Sequence, residues 1–87
     1  MHLILVSNLD FCAACRVNSP VLEKVARELN LPIEHLDPEI EMREVGLLSI
    51  EALPTTILMR GDQELGRIIG ALPEASMRAK IHSMVSL

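Results

Sequence analysis

The two cysteines of this 87-residue chain, Cys12 and Cys15, are separated by only two residues. On a helix, this spacing puts the second cysteine one turn after the first and on the same side, so that the two sulfur atoms can close a small disulfide. Such a pair can alternate between a disulfide and two thiols and thereby carry two electrons. The spacing therefore indicates thiol-disulfide exchange.

The residues on either side of the pair predict that Cys12 lies at the start of a helix. Residues 1–6 form an apolar run typical of a buried strand, and from Ala13 the apolar residues repeat with the helical period as far as Leu29. Unpaired backbone N–H groups and the helix dipole stabilise an anion at this position, which lowers the pKa of a thiol. We therefore expect Cys12 to have a raised fraction of reactive thiolate.

Other uses of a cysteine pair are less well supported by the sequence. A structural zinc site requires four nitrogen or sulfur ligands at short paired spacings, whereas His2, His35 and His82 stand alone. A structural disulfide across two residues would stabilise the fold little, because the gain grows with the length of the closed loop. We predict redox-active cysteines with no metal and no cofactor, and keep inert cysteines and metal binding as alternatives.

Composition excludes several classes of protein. The net charge is −4, basic residues are scattered, and Phe11 is the only aromatic residue, so nucleic-acid binding is not expected. No apolar run approaches the roughly 18 residues of a membrane span. The apolar start is too short for a signal-peptide core. We expect a cytoplasmic, monomeric protein with a single domain over residues 1–87, in a compartment where cysteine pairs are more often catalytic than structural.

The first half of the chain predicts a parallel strand-helix-strand unit. A helix over residues 13–29 is followed by a short strand over residues 33–36, and such a crossover is right-handed. Pro20 lies inside this helix, where a missing backbone donor predicts a kink. Asp37 and Pro38 then suit the cap and first position of a second helix, which should fade near residues 46–48.

The second half predicts an antiparallel hairpin and a last helix. Residues 55–59 are β-branched and apolar, and a turn at Gly61 and Asp62 leads to a partner strand over residues 64–69. Pro73 and Glu74 begin a helix whose apolar face repeats at helical spacing through Met77, Ile81, Met84 and Val85. The chain is thus predicted to be an α/β protein with four strands in a mixed sheet and three helices.

Four segments resemble the thioredoxin family. Residues 12–20 resemble its CGPCK segment with a proline five residues after the second cysteine, and residues 52–55 resemble its Gly-Ile-cisPro-Thr. Residues 60–62 stand at its hairpin turn, and residues 70–72 are similar to its Gly-Ala-Leu. The resemblance covers nearly the whole chain and implies a thioredoxin-like fold that lacks the family's opening strand and helix, a size shared with glutaredoxins.

The resemblance implies roles for individual residues. Cys12 would be the attacking nucleophile and Cys15 the resolving thiol. Leu53, before a cis Pro54, would pair its backbone with an extended substrate, although the residues alone favour the trans bond. The positions implied to bind substrate are Phe11, Leu53, Pro54, Gly70 and Ala71. For Leu53, Gly70 and Ala71, ordinary turn packing is the alternative.

The chain departs from the family beside the cysteines. Val6 stands where the family has a buried aspartate, and His35 stands where it has the lysine beside that aspartate. The sequence therefore does not identify the proton acceptor for Cys15. Asp10 is a candidate through water, although its charge would oppose thiolate formation. Asn8 and Phe11 replace the family's flanking tryptophans, and two alanines replace Gly-Pro between the cysteines.

The resemblance implies a reductase of protein disulfides, with disulfide-containing proteins as substrates and a flavoprotein thioredoxin reductase as electron donor. The first alternative is a glutaredoxin-like enzyme that uses glutathione, but Gly70 stands alone where glutaredoxins usually have paired glycines. The second alternative is a binding module without enzymatic activity, which docks a partner or shares an iron-sulfur cluster between two chains through Cys12.

Overall fold

The computed structural model describes residues 1–87 and contains one four-stranded sheet with helices on both faces. In chain order its elements are β1 (His2–Val6), α1 (Ala13–Glu28), β2 (Ile33–Leu36), α2 (Met42–Gly46), β3 (Thr55–Arg60), β4 (Gln63–Ile69) and α3 (Glu74–Val85). The strand order is β2-β1-β3-β4. Strands β1 and β2 are parallel, and the other two pairs are antiparallel. The predicted mixed sheet with three helices is confirmed.

The alternation of side chains along the strands divides the core into two layers. Leu3 and Leu5 of β1 face helices α1 and α3 in a cluster with Leu58 of β3. Ile4 and Val6 of β1 face the opposite side, where Val45 of α2 covers the sheet. Both layers are needed because successive residues of a strand point to opposite faces. No helix has the length and apolar character required to cross a membrane.

Helix α1 ends close to the predicted position and continues through Pro20 without interruption. Its last residue is Glu28, and Asn30 has a φ of 55°, the left-handed conformation in which asparagine often ends a helix. The backbone N–H of Leu31 returns to the carbonyl of Ala26, at 2.9 Å. The chain is thereby directed into β2.

The prediction that the second helix begins at Asp37 and Pro38 was wrong, since α2 begins at Met42. The carboxylate of Asp37 does accept a hydrogen bond from the N–H of Glu39 at 2.9 Å, as an N-cap residue would. The turn that begins there does not continue into a helix. The carboxylate of Glu41 accepts from the N–H of Asp37 at 2.7 Å, and the backbone of Glu41 leaves the helical region. One isolated turn therefore precedes a helix of 5 residues.

An ion-pair network joins α1 to α3. Arg78 of α3 contacts Glu28 and Glu74 at 2.7 Å each, and Lys24 lies 3.2 Å from Glu74. The hydrogen bond from Arg78 is the largest cause that lowers the pKa of both glutamates. A carboxyl group whose pKa is lowered by folding stabilises the protein above its ordinary pKa of 4.5, and this contribution disappears as the pH falls through the lowered value.

We therefore expect that the free energy of unfolding of Arg78→Gln depends less on pH in the acid range than that of the wild type. The variant should be less stable than the wild type near neutral pH, and the difference should shrink below pH 4.5, where the wild-type glutamates become protonated. Urea unfolding across this range measures it, with exposed Lys80→Gln on the same helix as the control. A difference that stays constant with pH would contradict the role of Arg78.

Candidate active site

Cys12 is the N-cap of α1 and closes a disulfide with Cys15. The Cα atoms of the two cysteines are 5.1 Å apart, within the usual range for a disulfide. The Sγ of Cys12 accepts a hydrogen bond from the backbone N–H of Cys15 at 3.0 Å, which is the bond that a serine or aspartate oxygen makes at an ordinary N-cap. The first turn of α1 is therefore placed to stabilise a thiolate on Cys12.

The two sulfurs differ in their access to solvent. Cys12 is partly exposed and is followed by the exposed residues Ala13 and Ala14, whereas only 1% of Cys15 is exposed. An incoming disulfide can therefore reach Cys12 but not Cys15. Arg16 supports this arrangement, because its guanidinium donates to the carbonyl of Leu9 at 2.6 Å and joins the loop before the cysteines to the first turn of the helix.

Asn8 organises the loop that leads from β1 to Cys12. Its side-chain oxygen accepts from the N–H groups of Asp10 and Phe11 at 2.9 and 3.0 Å, and its amide nitrogen donates to the carboxylate of Asp37 at 3.2 Å. Its carbonyl accepts from the N–H of Cys12 at 3.2 Å. This role was not predicted from the sequence, although an asparagine shortly after a strand is a known signal for such side-chain turns.

We expect Asn8→Ala to lower the free energy of unfolding by about 1–3 kcal/mol, because it removes two hydrogen bonds to the loop and one to Asp37. Urea unfolding of the oxidised protein measures this loss. Asp10→Ala is the matched control, since Asp10 is exposed in the same loop. Equal stability of the two variants would show that the side chain of Asn8 does not hold the loop.

Pro54 and Gly70 lie at the same end of the sheet as the loop that joins β1 to the cysteines. Thr55 pairs with both Val6 and Ile69, so the residues that precede β3 and follow β4 are neighbours of the loop after β1. The N–H of Gly70 donates to the carbonyl of Pro54 at 2.8 Å. Gly70 has a φ of 91°, which is strained for any residue with a side chain.

The peptide bond between Leu53 and Pro54 is cis, as the resemblance implied and the residues alone did not. The hydroxyl of Thr55 donates to the carbonyl of Ala52 at 2.6 Å and links the two sides of the bend. Pro54 is buried and Leu53 is partly buried against the α2 side of the core. No backbone hydrogen bond within the chain uses the N–H or C=O of Leu53.

The surface around Cys12 is open and partly apolar. Phe11 is 76% exposed, and Ala71 is also exposed. Ile69, at the end of β4, is 51% exposed, and sequence analysis did not select it. No group of three or more potential metal-ligating side chains is present.

The candidate proton acceptor Asp10 and His35, which replaces the family's lysine, lie in a separate cavity. Asp10 and His35 line a polar cavity of about 270 Å³ together with Ser19 and Asp37, and neither cysteine contributes to it. Val6, where the family has its buried aspartate, is fully buried in the apolar layer under α2. No carboxylate is among the buried residues, so none accompanies Cys15 in the interior.

Comparison with known proteins agrees with this geometry. A sequence model of the thioredoxin family matches residues 2–83. The chain belongs to the thioredoxin family. It is 29% identical over 77 residues to thioredoxin from Mycobacterium bovis, covering 86% of this chain and 66% of that one. It is 30% identical to a bifunctional thioredoxin reductase/thioredoxin from Mycobacterium leprae, covering 86% of this chain and 17% of that one.

Solved thioredoxin structures contain the architecture of this chain. Thioredoxin 1 from Thermosipho africanus superposes with a TM-score of 0.85 at 19% identity, over 99% of this chain and 96% of that one. Thioredoxin from Trypanosoma brucei brucei superposes with a TM-score of 0.84 at 23% identity, over 99% of this chain and 75% of that one. These similarities establish the thioredoxin fold. The chain spans less than two thirds of the length of the two mycobacterial relatives.

Proposed function

We propose that this thioredoxin-family protein is a thiol-disulfide oxidoreductase that reduces protein disulfides. The observation that carries the proposal is the unequal pair at the start of α1, with an accessible sulfur bonded to a helical N–H and a buried sulfur one turn later. In such a pair, the accessible sulfur captures the substrate and the buried sulfur releases it.

The reaction follows from this arrangement in two steps. The Cys12 thiolate attacks one sulfur of the substrate disulfide, the substrate S–S bond breaks, and the departing thiolate takes a proton from solvent. Cys15 then attacks Cys12 within the resulting mixed disulfide, forms the Cys12–Cys15 bond and releases the second substrate thiol. The second step is fast because the two sulfurs are held together at high effective concentration.

A protein chain in extended conformation is the substrate that the site accommodates best. Leu53 has an N–H and a C=O without backbone partners, at the sheet end where Cys12 lies. A substrate segment can pair with them as an added strand, while Phe11 and Ala71 offer apolar contact. We assign Phe11, Leu53, Pro54, Gly70 and Ala71 to this substrate surface.

We further propose a flavoprotein thioredoxin reductase as the electron donor, in the cytoplasm. Support comes from the Mycobacterium leprae relative, whose name joins a thioredoxin reductase to a thioredoxin. Glutathione is the competing donor. The single Gly70, in place of the paired glycines usual in glutaredoxins, argues against it.

Insulin reduction tests the proposed function. The protein should accelerate the precipitation of insulin by dithiothreitol above the rate with dithiothreitol alone. A glutathione-coupled assay with hydroxyethyl disulfide distinguishes the donors, and little activity is expected there. Lack of any acceleration with insulin would refute the reductase, and strong activity only in the second assay would reassign the protein to glutathione chemistry.

A further inference from the structure

Two buried polar side chains, one on α1 and one on β3, have no hydrogen-bond partner in the protein. Asn18 is 1% exposed and Thr56 is 0% exposed. The amide nitrogen and oxygen of Asn18 and the hydroxyl of Thr56 are all unpaired. Each unsatisfied buried group costs about 1–3 kcal/mol, and buried polar groups without a protein partner are usually bonded to internal water.

The placement of the two side chains brings them into one layer. Asn18 lies on the buried face of α1, three residues after Cys15 and one turn before Leu22. Thr56 precedes Leu58 by two residues on β3 and therefore points to the same face of the sheet, the face that α1 covers. Both are displaced from the Leu22 and Leu58 layer toward the sheet end where the cysteines lie.

The layer contains no ionisable group that could take a proton from Cys15. The buried polar residues of the whole protein are Asn8, Asn18, Ser19, Thr55 and Thr56, and none has a titratable side chain. The titratable groups of Asp10, His35, Asp37 and Glu41 line a separate cavity, to which neither cysteine contributes. A buried thiol is difficult to ionise without polar contacts that stabilise its anion.

We propose that Asn18 and Thr56 hold one internal water molecule beneath Cys15, and that this water solvates the Cys15 sulfur in the reduced protein. The water can accept from the Asn18 amide and exchange a hydrogen bond with the Thr56 hydroxyl. It keeps a donor for the sulfur, within the two to four bonds that buried waters make. The two residues are positioning residues that act on Cys15 through the water.

This role builds on the proposed reductase and concerns its release step. As Cys15 attacks Cys12 in the mixed disulfide, the Cys12–Cys15 bond forms and the bond from Cys12 to the substrate sulfur breaks. The Cys15 thiol loses its proton to solvent before the attack, the water stabilises the resulting thiolate by its hydrogen bond, and the departing substrate thiolate takes a proton from solvent. Electrons balance within the complex, one proton is released and one is taken up, and no buried base is required.

The matched pair Thr56→Val and Thr56→Ser tests the proposal, because valine removes the hydroxyl and keeps the shape whereas serine keeps the hydroxyl. The pKa of Cys15 is measured from the pH dependence of the ultraviolet absorbance of its thiolate in a Cys12→Ser background, which does not require a reagent to reach this buried sulfur. We expect Thr56→Val to raise this pKa by about one unit, which is about a tenfold loss of thiolate at pH 7. Asn18→Leu should act in the same direction, and Thr56→Ser should match the parent.

Stopped-flow release of a fluorescent peptide from the mixed disulfide is the second readout, and about a tenfold slower release is expected for Thr56→Val with Cys12 intact. Equal pKa values and equal release rates for valine and serine would overturn the proposal. If a variant does not fold, the proposal is tested in the wild type by NMR contacts between a long-lived water and the Asn18 amide protons. The absence of such contacts would overturn the proposal. If Thr56→Val raises the pKa of Cys15 but the wild-type protein does not reduce insulin, the water site is supported and only the proposed reductase is refuted.

Discussion

Cys15→Ser is expected to stop the protein at the mixed disulfide. Cys12 remains at the helix N-cap and can still attack, but no second sulfur stands one turn later to release the captured chain. Turnover of insulin should fall by more than about a hundredfold, because an external thiol must replace an internal one. Mass spectrometry under non-reducing conditions should show a covalent adduct with the substrate.

Cys12→Ser is the matched control for this experiment. It should abolish both turnover and the adduct, because Cys15 is only 1% exposed and cannot meet a substrate disulfide. The two variants together distinguish capture from release. An adduct in Cys12→Ser, or none in Cys15→Ser, would reverse the assignment of the two roles.

Leu22→Ala is expected to have the largest effect on stability. Leu22 is fully buried on α1 and belongs to the cluster that joins this helix to Leu5 and Leu58 of the sheet. Truncation of such a leucine leaves a cavity and costs about 2–5 kcal/mol. That is a large part of the 5–15 kcal/mol by which domains are usually stable. Urea unfolding of the oxidised protein measures the change.

Val17→Ala provides the control on the same helix. Val17 is 65% exposed, so its truncation should change the free energy of unfolding by no more than about 0.5 kcal/mol. Similar losses for the two variants would mean that α1 is held by something other than its packing against the sheet. A fully folded Leu22→Ala variant of unchanged stability would contradict the described core.

Much of the fold was predictable because its signals are local. The apolar period of α1, the β-branched run of β3 and the turn at Gly61 and Asp62 each lie within a few residues. The second helix was placed wrongly because its start depends on the side chain of Glu41, which returns to the backbone of Asp37 and closes the first turn. A pattern of residue types does not show whether such a bond forms.

The candidate site shows the same division. The spacing of Cys12 and Cys15 at a strand-to-helix junction predicted a redox-active pair, and the family resemblance pointed to Pro54 and Gly70. The contact between Asn8 and Asp37 was not predictable, since it joins residues 29 positions apart. Neither was the shared layer of Asn18 and Thr56, which lie on different elements.

The sequence by itself determined that a cysteine and its partner stand at the start of a helix, because helix ends and cysteine spacing are short-range properties. Only the tertiary structure decided what surrounds them. The cis bond between Leu53 and Pro54, the hydrogen bond from Gly70 to Pro54 and the unpaired groups of Asn18 and Thr56 all depend on how the elements pack together. Strand alignment is set by packing between distant parts of the chain, which local patterns do not specify.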